Sequence, residues 1–300
     1  MSRGICGIYA KKFVTKALVG YTSCMKIKVF MLAIGFSLCF IGQAAVAGPM
    51  EDANNAASRG DYAVARDIFL PLAEQGNSDA QGALGLMYYT GNGTPKDFVS
   101  AAKWFRKAAA QNNLYAQYML GTMHVSGIGV AKDLAEAARW FRASAEQGYP
   151  DAQYFLGNLY YRGAGLPKSI ADAVKWLSKA ADQGDAHAQY ALGRIYRLGA
   201  DLPQDNAKAF QLIQKAAVQG HPKAQFLLAQ FYDMGVGVPE DLVKAFMWYS
   251  IAAVAIPGSE AEATQLPIKF RDKMANKMTT EQIAEAQRIA REWTAAHPKP

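Results

Sequence analysis

One interval, 36 residues, recurs along most of this chain without a slip, and it restricts the possible folds more than any other feature. Gln75, Gln111, Gln147, Gln183 and Gln219 stand at that spacing, and so do Ala80, Ala116, Ala152, Ala188 and Ala224. Leu84, Leu120, Leu156, Leu192 and Leu228 keep the same register, as do Gly91, Gly127, Gly163, Gly199 and Gly235. A fixed period of this length marks a stack of supersecondary units, each of which buries its apolar face only against its neighbours.

Within each unit the apolar residues recur at helical intervals, and they do so twice. Ala80, Leu84, Met87 and Tyr88 share one face of a first helix, A; Ala101, Trp104, Phe105, Ala108 and Ala109 share one face of a second, B. The spacing predicts that helix A stops at Gly91 and its equivalents, where a left-handed residue closes the last turn. Helix B is expected to start at Asp97, Asp133, Ser169, Asp205 and Asp241, whose short oxygen-bearing side chains can accept from free backbone N–H groups. Asp133 with Glu136 has the spacing of a capping box.

The fold class that follows is all-α, an α-solenoid of 36-residue helix-turn-helix repeats. Five repeats are expected over 75–256, at 75–110, 111–146, 147–182, 183–218 and 219–256. Asp61, Ala65, Phe69 and Ala73 keep the register one period before the first B helix, so 48–74 reads as an N-terminal capping half-repeat. Beyond the break at Pro257-Gly258, 257–300 reads as two capping helices, the second opened by Thr279 with Gln282.

Ahead of the repeats, Met25-Lys-Ile-Lys28, an apolar run over 29–42 and Ala45-Val-Ala47 have the order of a secretory signal peptide cut after Ala47. The run of about 14 residues is shorter than the roughly 20 needed to span a bilayer. Met25 fits as the true start better than Met1. Six of the 32 basic residues lie before residue 48, with no acidic residue among them, which leaves 26 bases against 25 acids in the remainder. A body so near neutrality has little attraction for phosphate, and nucleic acid is not expected as a partner. Cys6, Cys24 and Cys39 all precede the expected cut, so the mature chain has no disulfide and no thiolate ligand. The expected location is the periplasm or the exterior.

The string Asp151-Ala-Gln-Tyr-Phe-Leu-Gly-Asn-Leu-Tyr-Tyr-Arg-Gly-Ala-Gly165, followed by Ala173-Val-Lys-Trp-Leu-Ser-Lys-Ala-Ala181, resembles the Sel1-like repeat, a relative of the tetratricopeptide repeat. The resemblance implies a right-handed superhelix with a concave groove lined by A helices, acting as an adaptor for protein complexes. Some secreted members resemble enzymes acting on penicillin-type substrates and carry a cysteine pair in each repeat. This chain departs from them in having no cysteine after residue 39. It also departs from the repeat pattern at His124, Leu212, Ala229 and Asp201.

No catalytic constellation stands out. Glycine pairs such as Gly127/Gly129 and Gly235/Gly237 follow a helix and do not join a strand to a helix N-terminus, so they read as turns and not as a phosphate cradle. His124, His187, His221 and His297 lack ligand spacing along a helix, and neither metal nor cofactor is expected. Trp104, Trp140, Trp176 and Trp248 share the alanine-rich face of helix B and read as core.

The informative positions lie on helix A, away from the core face, and change from repeat to repeat. A polypeptide-binding groove is expected to use Tyr115, Tyr118 and Thr122 of the second repeat and Asp151, Tyr154 and Asn158 of the third. It continues through His187, Tyr190 and Arg194 of the fourth and Lys223, Phe226 and Gln230 of the fifth. Tyr118, Tyr154, Tyr190 and Phe226 form an aromatic ladder along it, suited either to a partner or to filling space between A helices. Two functions are compatible with this pattern. One is an exported, non-enzymatic adaptor for protein or extended peptide; the other is a protein that binds or hydrolyses cell-wall peptides.

Overall fold

A computed structural model describes residues 48–199, 202–255 and 261–297. The expected signal peptide lies outside the described residues, as do Asp201 and Pro257-Gly258. Fourteen α-helices and no strand occur among the described residues. The chain divides into two compact units. The first holds residues up to 123 with 127–131, the second 124–126 and 132 onward.

The first unit contains α1 (Pro49–Arg59), α2 (Tyr62–Glu74), α3 (Ser78–Thr90), α4 (Phe98–Ala109) and most of α5 (Leu114–Ser126). Residues 48–74 thus form a short helix pair whose members are joined through Gly60 and Asp61 alone. Its core is built of small residues from three helices: Ala53, Ala56, Ala65, Ala73 and Ala80 lie against Phe69, Leu84 and Met87.

The second unit contains the remaining helices of the repeats, α6 (Leu134–Glu146), α7 (Pro150–Arg162), α8 (Ile170–Asp182), α9 (Ala186–Leu198), α10 (Asn206–Val218), α11 (Pro222–Met234) and α12 (Leu242–Ala255). It ends with α13 (Ala261–Ala275) and α14 (Thr280–Ala296). Close packing of α7 on α8 depends on Gly157, since a Cβ there would lie 2.7 Å from Leu177 Cγ.

Local chemistry sets the helix ends. Asp97, Asp133, Ser169 and Asp205 each accept a backbone N–H from the first turn of their B helix, and Asp241 accepts from Lys244 N–H. The A helices end on left-handed glycines, as the spacing predicts. The Thr279 capping box forms in full. That of Asp133 does not, because its own N–H donates to the His124 carbonyl and Glu136 turns to Arg139.

A buried amide ladder links the helices. Gln81, Gln117, Gln153, Gln189 and Gln225 are nearly inaccessible. Each donates its Nε2 to a carbonyl at the end of the preceding B helix: Ala73, Ala109, Ala145, Ala181 and Ala217. The Oε1 of Gln81, Gln153 and Gln189 in turn accepts at 2.8 Å from Gln111, Gln183 and Gln219. The 36-residue register puts Ala255 where the next such donor would stand, and Gln225 Oε1 is left buried without a partner.

The tryptophans divide. Trp176 and Trp248 are buried, whereas Trp104 and Trp140 are only half-buried. The exposed side of Trp104 carries the Lys107 ammonium 4.1 Å from its ring centroid.

Candidate functional site

Nine of the twelve expected groove residues fall in the second unit, on α7, α9 and α11. Each of these helices is anchored through its buried Ala, Gln and Leu positions, which turns the variable positions outward. Tyr154 and Tyr190 are half-buried and each meets a ring of the following repeat. Tyr154 lies 5.6 Å from His187, and Tyr190 stacks at 4.6 Å on His221, which itself lies 4.9 Å from His187. The result is a continuous strip of half-buried rings.

Phe226 departs from the expected groove. Its ring sits against Tyr249 and Phe270, each centroid 5.7 Å away. Helix α13 stands where a further A helix would stand and covers it, so Phe226 belongs to the C-terminal core. Polar candidates differ in how much capacity they keep for a ligand. Asn158 Nδ2 donates to the Tyr154 carbonyl, and Gln230 Oε1 accepts from Arg197. Lys223 and Arg194 are exposed, the latter with its guanidinium 5.7 Å from the Tyr190 centroid.

In the first unit, Tyr115 and Tyr118 are half-buried with ring centroids 6.4 Å apart. Thr122 donates its hydroxyl to the Met119 carbonyl.

At the N-terminal edge of the strip, the structure brings together residues that helical spacing does not connect. Within each unit, a residue just before an A helix lies beside the second residue of the preceding A helix, 34 positions earlier: Asn113 by Asp79 in the first, and Asp185 by Asp151 and His221 by His187 in the second. In the first unit this contact is a hydrogen bond, Asn113 Nδ2 donating to Asp79 at 2.9 Å. In the second unit one such pair is two carboxylates, Asp185 and Asp151. Burial pushes the Asp151 carboxyl up to about 6, and the Asp185 charge adds to the rise. The Tyr149 hydroxyl and His187 act in the opposite sense. Burial also raises Asp185, against the backbone N–H groups of Ala188 and His187. His187 is depressed by burial, opposed by Asp151. His221, whose Nδ1 accepts from Ala224 N–H, is pushed down to about 3 by burial.

Because the folded chain holds the Asp151 proton more tightly than the unfolded chain, stability falls as pH rises from the ordinary 3.8 to about 6. Above that window the penalty is complete. Asp185→Asn keeps the cap, removes a like charge and restores the amide donor seen at Asn113. The variant is expected to gain about 1 kcal/mol at pH 7.5, or roughly 2–4 °C in Tm, and less at pH 4.5. Thermal melts at the two pH values check this, and an equal gain at both would refute it.

At the other edge, Asn158, Tyr161 and Arg162 of α7, Leu177 of α8, and Ala191, Arg194 and Ile195 of α9 line a cleft of about 60 Å³. Among the described residues no group of three or more His, Cys, Asp or Glu side chains is arranged to hold a metal ion. None of the described helices is long and apolar enough to cross a membrane.

The model of the Sel1 repeat matches residues 78–113, 114–149, 150–185, 186–221 and 222–253. The chain belongs to the Sel1 repeat family. Proteins of this family generally mediate protein–protein interactions and are generally non-catalytic. A Sel1 repeat protein from Oxalobacter formigenes is 31% identical, with a TM-score of 0.65 over 69% of this chain and 86% of its own. A protective antigen present in uropathogenic Escherichia coli strains, displaying an SLR fold, is 26% identical, with a TM-score of 0.34 over 81% of this chain and 68% of its own. A Sel1 repeat protein from Klebsiella pneumoniae is 22% identical, with a TM-score of 0.43 over 69% and 97%. No curated protein matches.

Proposed function

We propose that this Sel1 repeat protein is an exported, non-enzymatic adaptor of the bacterial cell envelope, periplasmic or secreted, which binds a protein or extended peptide along the A-helix face of its second unit. The observation that carries the reading is the strip itself. Tyr154, His187 and Tyr190 form a half-buried aromatic surface flanked by side chains that differ at every repeat: Asp151, Asn158, Arg194 and Lys223. Rigid rings edged by polar groups are the composition of binding hot spots. The signal-like segment before residue 48 supports export.

A photoreactive phenylalanine analogue at Lys223, exposed on the A-helix face, is expected to capture one discrete partner in the native envelope. The same group at Lys175, exposed on a B helix, is expected to capture none. With the captured partner purified, Tyr190→Ala should weaken binding at least tenfold. Equal capture from both positions, or unchanged affinity, would remove the A-helix face as the binding surface.

A further inference from the structure

The cleft between α7, α8 and α9 has a composition that selects its ligand. Its floor is apolar, with Leu177 fully buried and Ile195 nearly so. Its rim is Asn158, Tyr161, Arg162 and Arg194. Both arginines are exposed. Arg194 faces the Tyr190 ring, and the Arg162 charge is felt at Tyr154. Two guanidinium groups on the rim of one small cleft offer N–H donors and positive charge to a common anion.

The pair is specific to one step of the array. The position of Arg162 is Thr90, Ser126, Leu198 and Met234 in the other repeats, and that of Arg194 is Leu86, Thr122, Asn158 and Gln230. Repetition therefore does not explain the two charges.

Resting on the reading that the A-helix face binds polypeptide, we propose that Arg162 and Arg194 receive a carboxylate side chain of the partner, so that the segment crossing the third and fourth repeats is acidic. Guanidinium groups match the planar carboxylate with two parallel N–H···O bonds. The cleft, of about 60 Å³, has room for a carboxylate group. The apolar floor accommodates the methylene groups that carry it.

The test uses three twelve-residue peptides differing only in a central Glu-Leu-Glu, Gln-Leu-Gln or Lys-Leu-Lys. Each is titrated at 150 mM salt into the isotopically labelled protein, with the arginine Nε–H and the 151–198 amide resonances as readout. The Glu peptide is expected to move the Arg162 and Arg194 signals saturably and to bind at least tenfold more tightly than the Gln peptide. An Arg162→Met, Arg194→Met double variant should lose that tenfold preference with its melting temperature unchanged, because both side chains are exposed.

If the Gln peptide binds this face as tightly as the Glu peptide, the carboxylate assignment falls and the A-helix reading stands. If the double variant keeps the preference, the assignment likewise falls. If none of the peptides moves a resonance on α7 or α9, both readings fall. Inorganic phosphate displacing the Glu peptide at equal concentration would show an unselective anion site and overturn the proposal.

Discussion

Gly165→Val is expected to destabilise the second unit by about 4 kcal/mol or more, at the upper end of single-residue effects. Two independent costs combine. Gly165 has φ +73, where a side chain costs roughly 1–2 kcal/mol from its own backbone. In addition, a Cβ there would lie 2.3 Å from both the carbonyl carbon and the oxygen of Leu134. These are main-chain atoms at the start of α6, and no rotamer change moves them away. Gly163, two residues earlier, separates the costs. Its φ is similarly positive at +66, but the nearest atom its Cβ would meet is the Lys168 Cβ at 3.1 Å, with no main-chain atom closer than 3.4 Å. Gly163→Ala should therefore cost about 1–2 kcal/mol and Gly165→Ala distinctly more, both read from urea titrations. Equal losses would show that backbone conformation alone requires glycine at 165.

That second glycine also shows how far the sequence can be read. The 36-residue recurrence makes the helix pairs, their left-handed C-terminal glycines and their Asp and Ser caps legible, because each follows from local spacing. It makes the Gly-x-Gly pattern visible as well. It does not reveal that the second glycine of the pair presses on the preceding repeat, since that contact spans some 30 residues and has no helical period. The juxtaposition of Asp151 with Asp185 was hidden for the same reason: a 34-residue offset is not an interval that helical periodicity samples. Phe226 keeps its register in the aromatic ladder, yet it is covered because α13, which lies outside the repeat pattern, takes the next position. Trp104 and Trp140 have the register of core residues but stay half-buried, whereas Trp176 and Trp248 in the same register are buried. Arg162 stands at the end of helix A, and the cleft it shares with Arg194 and with Leu177 of a B helix follows from the fold and not from any spacing in the sequence.

The buried glutamines allow the reach of the recurrence to be tested energetically. Gln153→Leu is expected to cost about 2 kcal/mol, since a neutral buried hydrogen bond contributes about 1 kcal/mol net and two are lost. They are the bond from Nε2 to the Ala145 carbonyl at 3.1 Å and the bond to Oε1 from Gln183 at 2.8 Å. Gln225→Leu alters the same repeat position, but with a different balance. Its Nε2 bond to Ala217 at 3.2 Å is lost, while its Oε1 has no donor to lose. Removing an unpartnered buried oxygen offsets part of the cost, so Gln225→Leu should destabilise by less than half as much. Urea denaturation of the two variants, compared at equal m-value, gives the difference. Identical losses would mean that the second bond of the ladder contributes nothing. The expected inequality would show that a glutamine's contribution depends on the donor 30 residues further on. Ala255 would then be the point at which the chain stops behaving as a repeat and begins its C-terminal cap.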